Sequence, residues 1–232
     1  MSRLSRSALL AQLRADIATF EQLLGEDPSA PVPTCPGWDV AELATHLGRT
    51  HRWATGALTS TAEPAYPPRP EPGELRGWFE QGAAGLVAEL DDRDPEQPCW
   101  TFWPPHRVGF WVRRQAQETA VHRWDLQNAL GVPARLADDL ARDGLGEVVE
   151  VMYPRQVSLG RQEPLVSGLL LRAPGEEWAL GTDPGAVLAA DAESLLLVLW
   201  KRRSLDEVLA AGGRLEGDRA VADAVLGARV TP

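Results

Sequence analysis

At 232 residues, with 44% hydrophobic and 24% charged residues, the chain is long enough to bury a core as one large domain or two small ones. No apolar run approaches the roughly 18 residues of a membrane span. The formal net charge of −10 supplies no cationic surface for phosphate backbones, so neither a membrane nor a nucleic acid is expected as partner.

The opening stretch MSRLSRSALLAQLRADIATF has basic residues, but acidic and polar ones soon interrupt its apolar run. It reads as an amphipathic helix and not as a secretory signal. Leu4, Leu9, Leu13, Ile17, Phe20 and Leu24 recur at helical spacing and stop at Gly25, a candidate C-cap. PVPTCPGWD is a Pro/Gly-rich connector, after which Asp39 caps a second helix with Glu42 in capping-box position. A third helix is expected from about Glu74, where Leu75, Trp78, Phe79, Leu86 and Leu90 share a face. Gly77, Gly82 and Gly85 are tolerable there only if another helix packs closely.

The Pro- and Trp-rich loop DPEQPCWTFWPPHRVG leads to a fourth helix from about Phe110 to Leu130, stopped by Gly131 and Pro133. A fifth, from about Leu136 to Met152, completes an up-and-down helical bundle assigned to residues 1–155. The character changes after Tyr153-Pro154. PLVSGLLLRAPGEEWALGT reads as two strands about a Pro-Gly turn and GAVLAAD as a third. Asp191 caps the helix AESLLLVLWKRR, and SLDEVL and DRAVADAVL are further short helices. This gives a small α+β domain over residues 160–232, so the fold class is α followed by α+β.

Cys35 and Cys99 form neither a CxxC pair nor a disulfide framework, which fits a cytoplasmic protein. Lys201 is the one lysine beside twenty-two arginines, a bias that with abundant Ala, Gly and Pro points to a GC-rich genome.

Only four histidines are available for chemistry. In QETAVHRWD, Glu118 and His122 lie one turn apart on a stripe with Trp111, Gln115, Asp125 and Ala129, so both can reach one point. A surface Glu–His pair is the bland alternative. His46 and His51 share the second helix but diverge by about 140° around its axis, so both cannot serve one ion. His51 points nearer the Val40, Leu47, Leu58 stripe, as a hydrogen-bonded core histidine would. His46 lies at the stripe's edge beside Leu43, Thr50 and Trp53, and periodicity alone does not choose between the two. His106 sits in the Pro-rich loop, where a solvated or substrate-facing role is expected. Two imidazoles and a carboxylate would match catalytic zinc with an open position, or non-haem iron. Gln115 and Asp125 are candidates to hold a ligand in place, with Asp125 alternatively an anchor for Arg123 or Arg49.

TCPGWDVAELATHLGRTHRWA and QETAVHRWDLQNALG together resemble two signature blocks of the mycothiol-dependent maleylpyruvate isomerase family, a branch of the DinB-like metal-binding bundles. The resemblance implies that His46, Glu118 and His122 bind a divalent metal, zinc by preference. It also implies a sterol-carrier-protein-like C-terminal domain. There LLLVLWKRRSLDEVL resembles an element usually read Leu-Trp-Gly-Arg, with Lys201 where glycine is common and Arg202 on the arginine. Because the bundle offers few obvious cations beside its ligands, Arg202 or Arg203 is expected to bind an anionic group of substrate or cofactor, Arg202 with a catalytic part.

The implied activity is isomerisation or S-transfer on an electrophilic small molecule with mycothiol, a thiol of high-GC actinobacteria, by a monomer or homodimer. A metal-dependent hydrolase and a non-catalytic binding or regulatory protein are the alternatives. Trp100, Trp103 and Trp111 would pack the core or wall the open metal position.

Overall fold

The computed structural model describes residues 4–71 and 73–232, so the first three residues of the expected N-terminal helix lie outside the described residues. The chain divides into two compact units, with the boundary between Leu136 and Ala137.

The first unit is a four-helix bundle of α1 (Arg6–Leu23), α2 (Val40–Ala57), α3 (Leu75–Asp92) and α4 (Val108–Ala129). Local chemistry sets each start and stop. Ser5 accepts the Ala8 N–H to open α1, and Asp39 accepts that of Glu42 at 2.8 Å to open α2. Glu42 does not close a capping box; its carboxylate pairs with Arg69 instead. Leu24 ends α1 in right-handed conformation, without a left-handed glycine, whereas Gly131 (φ +66°) turns the chain beyond α4 as expected.

Around the bundle α1 packs on α4 and α3, and α2 on α3 and α4, so the consecutive helices α1 and α2 stand diagonally. Leu13, Phe20, Leu43, Leu47, Phe79, Leu86, Leu90 and Trp111 fill the centre. Of the three glycines questioned in α3, only Gly82 has a close neighbour, the Arg52 guanidinium from α2, while Gly77 and Gly85 face open space. Gly48 of α2 lies against the Trp78 ring, where a side chain would collide. Arg52 in turn stacks 3.9 Å from the Trp78 ring centroid.

His51 is the buried core histidine of α2. It is fully inaccessible, bonded through Nε2 to Thr119 Oγ1 at 3.0 Å, and burial pushes its pKa down to about 3.

The second unit holds α5 (Asp138–Glu147), a π-helical turn (Val148–Met152), α6 (Tyr153–Ser158) and a four-stranded sheet with three more helices. The division therefore falls earlier than the 155–160 boundary expected from composition. The fifth helix packs on a helix of the second unit, and the helical course continues through Pro154 behind the π turn. Strands β1 (Gly168–Ala173), β2 (Glu176–Leu180) and β3 (Pro184–Ala189) are the three expected; β4 (Arg214–Gly217) was not.

The order is β2-β1-β3-β4, with β1 and β3 parallel and both outer pairs antiparallel. Alternation buries Leu169, Leu171, Trp178, Leu180 and Leu188 on one face. The helices are α7 (Ala192–Leu199), α8 (Leu205–Ala210) and α9 (Arg219–Gly227), and α5 packs along α7. Among the described residues no helix is long and apolar enough to cross a membrane.

Helix α7 ends sooner than the KRR cluster suggested. Trp200 caps it and Lys201 follows at φ +62°, the left-handed region that favours glycine. The backbone conformation thus accounts for the glycine expected at this position. Lys201 turns its side chain to the C-terminal end of α9, where Nζ donates to the carbonyls of Leu226 and Ala228.

Two stability measurements check these assignments. Because the folded pKa of His51 is depressed, its contribution is present above about pH 6.5 and is lost as pH falls toward 3. Each pH unit in that window costs up to about tenfold in the folding equilibrium. Urea melts of His51→Leu should show a correspondingly flatter acid limb; an unchanged slope would mean His51 protonates without cost. At position 201, Ala and Gly both lose the Nζ bonds but only Gly relieves the backbone. Lys201→Gly should therefore be more stable than Lys201→Ala by about 1 kcal/mol in denaturant titrations.

Candidate metal centre

Helix geometry explains how α4 aims its polar side chains. Arg114, Glu118, His122 and Asp125 follow one another at i+4, i+4 and i+3, a single lane along the helix. Opposite this lane α2 brings His46, so that His46 Nε2 stands 3.2 Å and His122 Nε2 3.3 Å from the same Glu118 Oε1. The candidate ligand atoms of all three residues lie within 4.8 Å of one another. A tetrahedral site with bonds of 2.0–2.1 Å has donor–donor edges of about 3.3–3.4 Å, so this spacing fits a first-row divalent ion. Of the four histidines, His46 and His122 join the cluster. His51 is committed to the core, and exposed His106 bonds through Nδ1 to Thr101 Oγ1 at 2.8 Å.

The charges around the cluster hold it in a ready form. Burial alone would raise the pKa of Glu118, but Arg114 and the hydrogen bonds of His122 and His46 outweigh it and hold the carboxyl well below its usual range. Arg114 Nη2 takes Oε2 at 2.8 Å, which leaves Oε1 as the oxygen facing the imidazoles. For His122 burial would lower the pKa, yet bonds to Asp125 and Glu118 raise it. Asp125 Oδ2 lies 3.0 Å from His122 Nδ1, so a proton belongs on Nδ1 and Nε2 is the nitrogen that faces Glu118 and the cluster.

Asp125 is itself fully buried and is met by the 31–39 connector. Thr34 Oγ1 donates to Oδ1 at 2.6 Å and the Cys35 thiol to Oδ2 at 3.7 Å. That connector is a compact turn. Val32 N donates to Trp38 O at 2.9 Å and Trp38 N to Cys35 O at 3.0 Å, with Gly37 at φ +85° permitting the reversal. It sets the Trp38 ring 4.9 Å from that of His46.

The side-chain exposures, 7% for His122, 14% for Glu118 and 32% for His46, leave the cluster open on the His46 side.

Asp125, rather than Gln115, is the residue that touches a candidate ligand. Both amide atoms of Gln115 are buried without a protein partner among the described residues. Asp125 anchors neither arginine considered for it: Arg123 pairs with Asp16 at 3.0 Å, and Arg49 donates to Pro67 O at 2.7 Å. Arg114, Thr34, Cys35 and Trp38 are contributors that the residue patterns did not single out. For Arg114 the i,i+4 spacing to Glu118 was a usable signal; for Thr34, Cys35 and Trp38 it was their place in the TCPGWD block.

Arg202 and Arg203 belong to the second unit. Arg202 Nη1 donates to Trp200 O at 2.7 Å, and Arg203 Nη1 to Ser194 Oγ at 2.9 Å. Trp100 and Trp111 join Trp53 in a ring cluster, with centroids 5.2 and 5.3 Å from it. Trp111 is fully buried, as core packing predicts.

If Asp125 orients His122, Asp125→Asn should weaken metal retention about 10–100-fold while leaving the bundle folded, as read by metal titration and circular dichroism. Unchanged affinity would reduce Asp125 to an anchor for Thr34.

Residues 9–127 match the mycothiol maleylpyruvate isomerase N-terminal domain and residues 139–224 the MDMPI C-terminal domain. Two solved structures share the fold. A crystal structure of the mycothiol-dependent maleylpyruvate isomerase aligns with TM-score 0.62 and 16% identity. That of a histidine-to-alanine mutant aligns with TM-score 0.67 and 13% identity. Each alignment covers 85% of this chain and 91% of the other. No curated protein sequence matches. With both domains matched in order over most of its length, the chain belongs to the mycothiol maleylpyruvate isomerase family.

Proposed function

We propose that the protein is a metal-dependent isomerase or S-transferase that uses mycothiol on an electrophilic small molecule, as its family's name describes for maleylpyruvate. The supporting observation is that His46 Nε2 and His122 Nε2 lie 3.2 and 3.3 Å from the same Glu118 Oε1 in a family bundle, with all three ligand atoms within 4.8 Å of one another. These three would hold a divalent cation, zinc by the character of the donors, whose Lewis acidity favours thiolate over thiol near neutral pH. Mycothiol would supply a sulfur nucleophile that adds reversibly to a polarised double bond, allowing rotation in isomerisation or remaining attached in transfer.

The chain's own residues then have definable tasks. Arg114 restricts Glu118 to one oxygen, and Asp125 keeps the His122 proton on Nδ1. Trp38 screens the His46 ring. Trp53 and Phe102, nearly parallel at 9° with centroids 6.3 Å apart, offer flat apolar surface for a planar substrate. A part for Arg202 or Arg203 in binding an anionic group belongs to the same proposal and rests on the resemblance of LLLVLWKRRSLDEVL.

The test is conversion of maleylpyruvate followed by proton NMR with and without mycothiol, alongside metal analysis. His122→Ala should lose most bound metal and more than about 100-fold of kcat/KM. Arg202→Ala should keep its metal and raise KM. Full activity without thiol, or full metal occupancy in His122→Ala, would overturn the reading. Thiol-independent cleavage of an ester would favour a hydrolase.

A further inference from the structure

Glu42, His46, Arg49 and Trp53 stand at i, i+4, i+7 and i+11, one stripe of α2. The segment PAYPPRP runs back along this stripe. Trp53 Nε1 donates to Pro64 O at 3.2 Å, Arg49 Nε donates to Pro67 O at 2.7 Å, and Arg69 pairs with Glu42. His46, the candidate ligand on whose side the cluster is open, sits in the middle of this strap's anchor points.

Arg49 differs from most arginines of the bundle. Arg114, Arg123 and Arg69 each engage a carboxylate, and the nearest acid on the stripe, Glu42, is occupied by Arg69. Arg49 has no acidic partner among the described residues. Its Nε is tied to Pro67 O and its guanidinium carbon lies 4.1 Å from the Tyr66 ring centroid, so the plane is fixed by stacking. These contacts leave both Nη atoms without a protein acceptor among the described residues, one turn from His46, where Cβ atoms are about 5–6 Å apart. A guanidinium held in place with its fork unused matches the two oxygens of a carboxylate. Trp53, 6.3 Å from Tyr66 between ring centroids, continues the wall with a flat apolar surface.

We propose that Arg49, seated on Tyr66, is a carboxylate-binding site beside the metal centre that takes one carboxylate of the small molecule handled there. This deepens the function proposed above and relies on it for the identity of the reaction. It also places a cation on the bundle itself, where the sequence had suggested that the C-terminal arginines alone would serve.

The experiment is isothermal titration of the metal-loaded, full-length protein with maleate, and with maleamide as its uncharged counterpart. Wild-type protein should bind maleate, and Arg49→Ala should lose at least about tenfold in affinity at unchanged metal content and melting temperature. Arg49→Lys, which keeps the charge and loses the fork, should fall between the two. Maleamide binding should be the same in all three. Failure of wild-type protein to bind maleate, equal maleate affinity in Arg49→Ala, or a parallel loss for maleamide would overturn the site. Arg49-dependent maleate binding without thiol-dependent turnover would leave the site standing and remove the proposed reaction.

Discussion

A carboxylate in the interior of a helical bundle is tolerable only where positive charge and hydrogen-bond donors converge on it, and Glu118 imposes that condition on everything around it. Arg114 reaches it from one turn before and His122 from one turn after, both on its own helix. His46 can reach it only if α2 docks with one particular face toward α4. The polar lane therefore specifies a rotation of each helix that hydrophobic burial alone would leave loosely determined. A second buried carboxylate extends the constraint outward. Asp125 needs donors besides His122, and the 31–39 turn supplies Thr34 and Cys35. Loop, helix entry and candidate ligand set are thus one connected network, in which losing any member leaves a buried charge unmatched.

The apolar packing has to agree with that docking. Gly48 admits the Trp78 ring and Gly82 admits Arg52, which brings α2 and α3 close together on the side of α2 away from the cluster. Five residues separate His46 from His51, and the 140° between them turns one imidazole toward Glu118 and the other into the core against Thr119 and the Phe79 ring. One helix uses the same residue type in two electrostatic roles. The environment, not the residue, decides which ring is a metal-ligand candidate and which is held neutral.

This explains which features were legible in the sequence. Glu118 and His122 were readable as a pair because helical spacing alone brings i and i+4 together. The choice of His46 over His51 depends on which α4 side chain each meets, Glu118 or Thr119, and periodicity within α2 does not carry that information. The two strands about Pro174-Gly175 were readable because Gly175 (φ +82°) makes the turn and alternation marks the buried face. β4 was not, because RLEG contains a single apolar residue and becomes a strand only by pairing with β3. Helix α5 looks like another bundle helix, since amphipathicity shows that a face is buried but not in which core. The circular order of the four bundle helices was likewise hidden, because loop length does not tell a diagonal crossing from an adjacent one.

Position 201 shows how a local departure from a family pattern can be absorbed. A non-glycine residue in left-handed backbone carries about 1–2 kcal/mol of strain, and an aliphatic side chain there would offer nothing in return. Lysine is long enough to reach the carbonyls of Leu226 and Ala228 at the C-terminal end of α9, where a cation is favoured by both hydrogen bonding and the helix dipole. The turn after Trp200 keeps its shape, and Arg202 and Arg203 keep their places after it, bonded to Trp200 O and Ser194 Oγ. What the family pattern protects here is therefore a backbone conformation. Glycine reaches it by having no Cβ, and this chain reaches it by tying the one lysine it possesses across to a second helix.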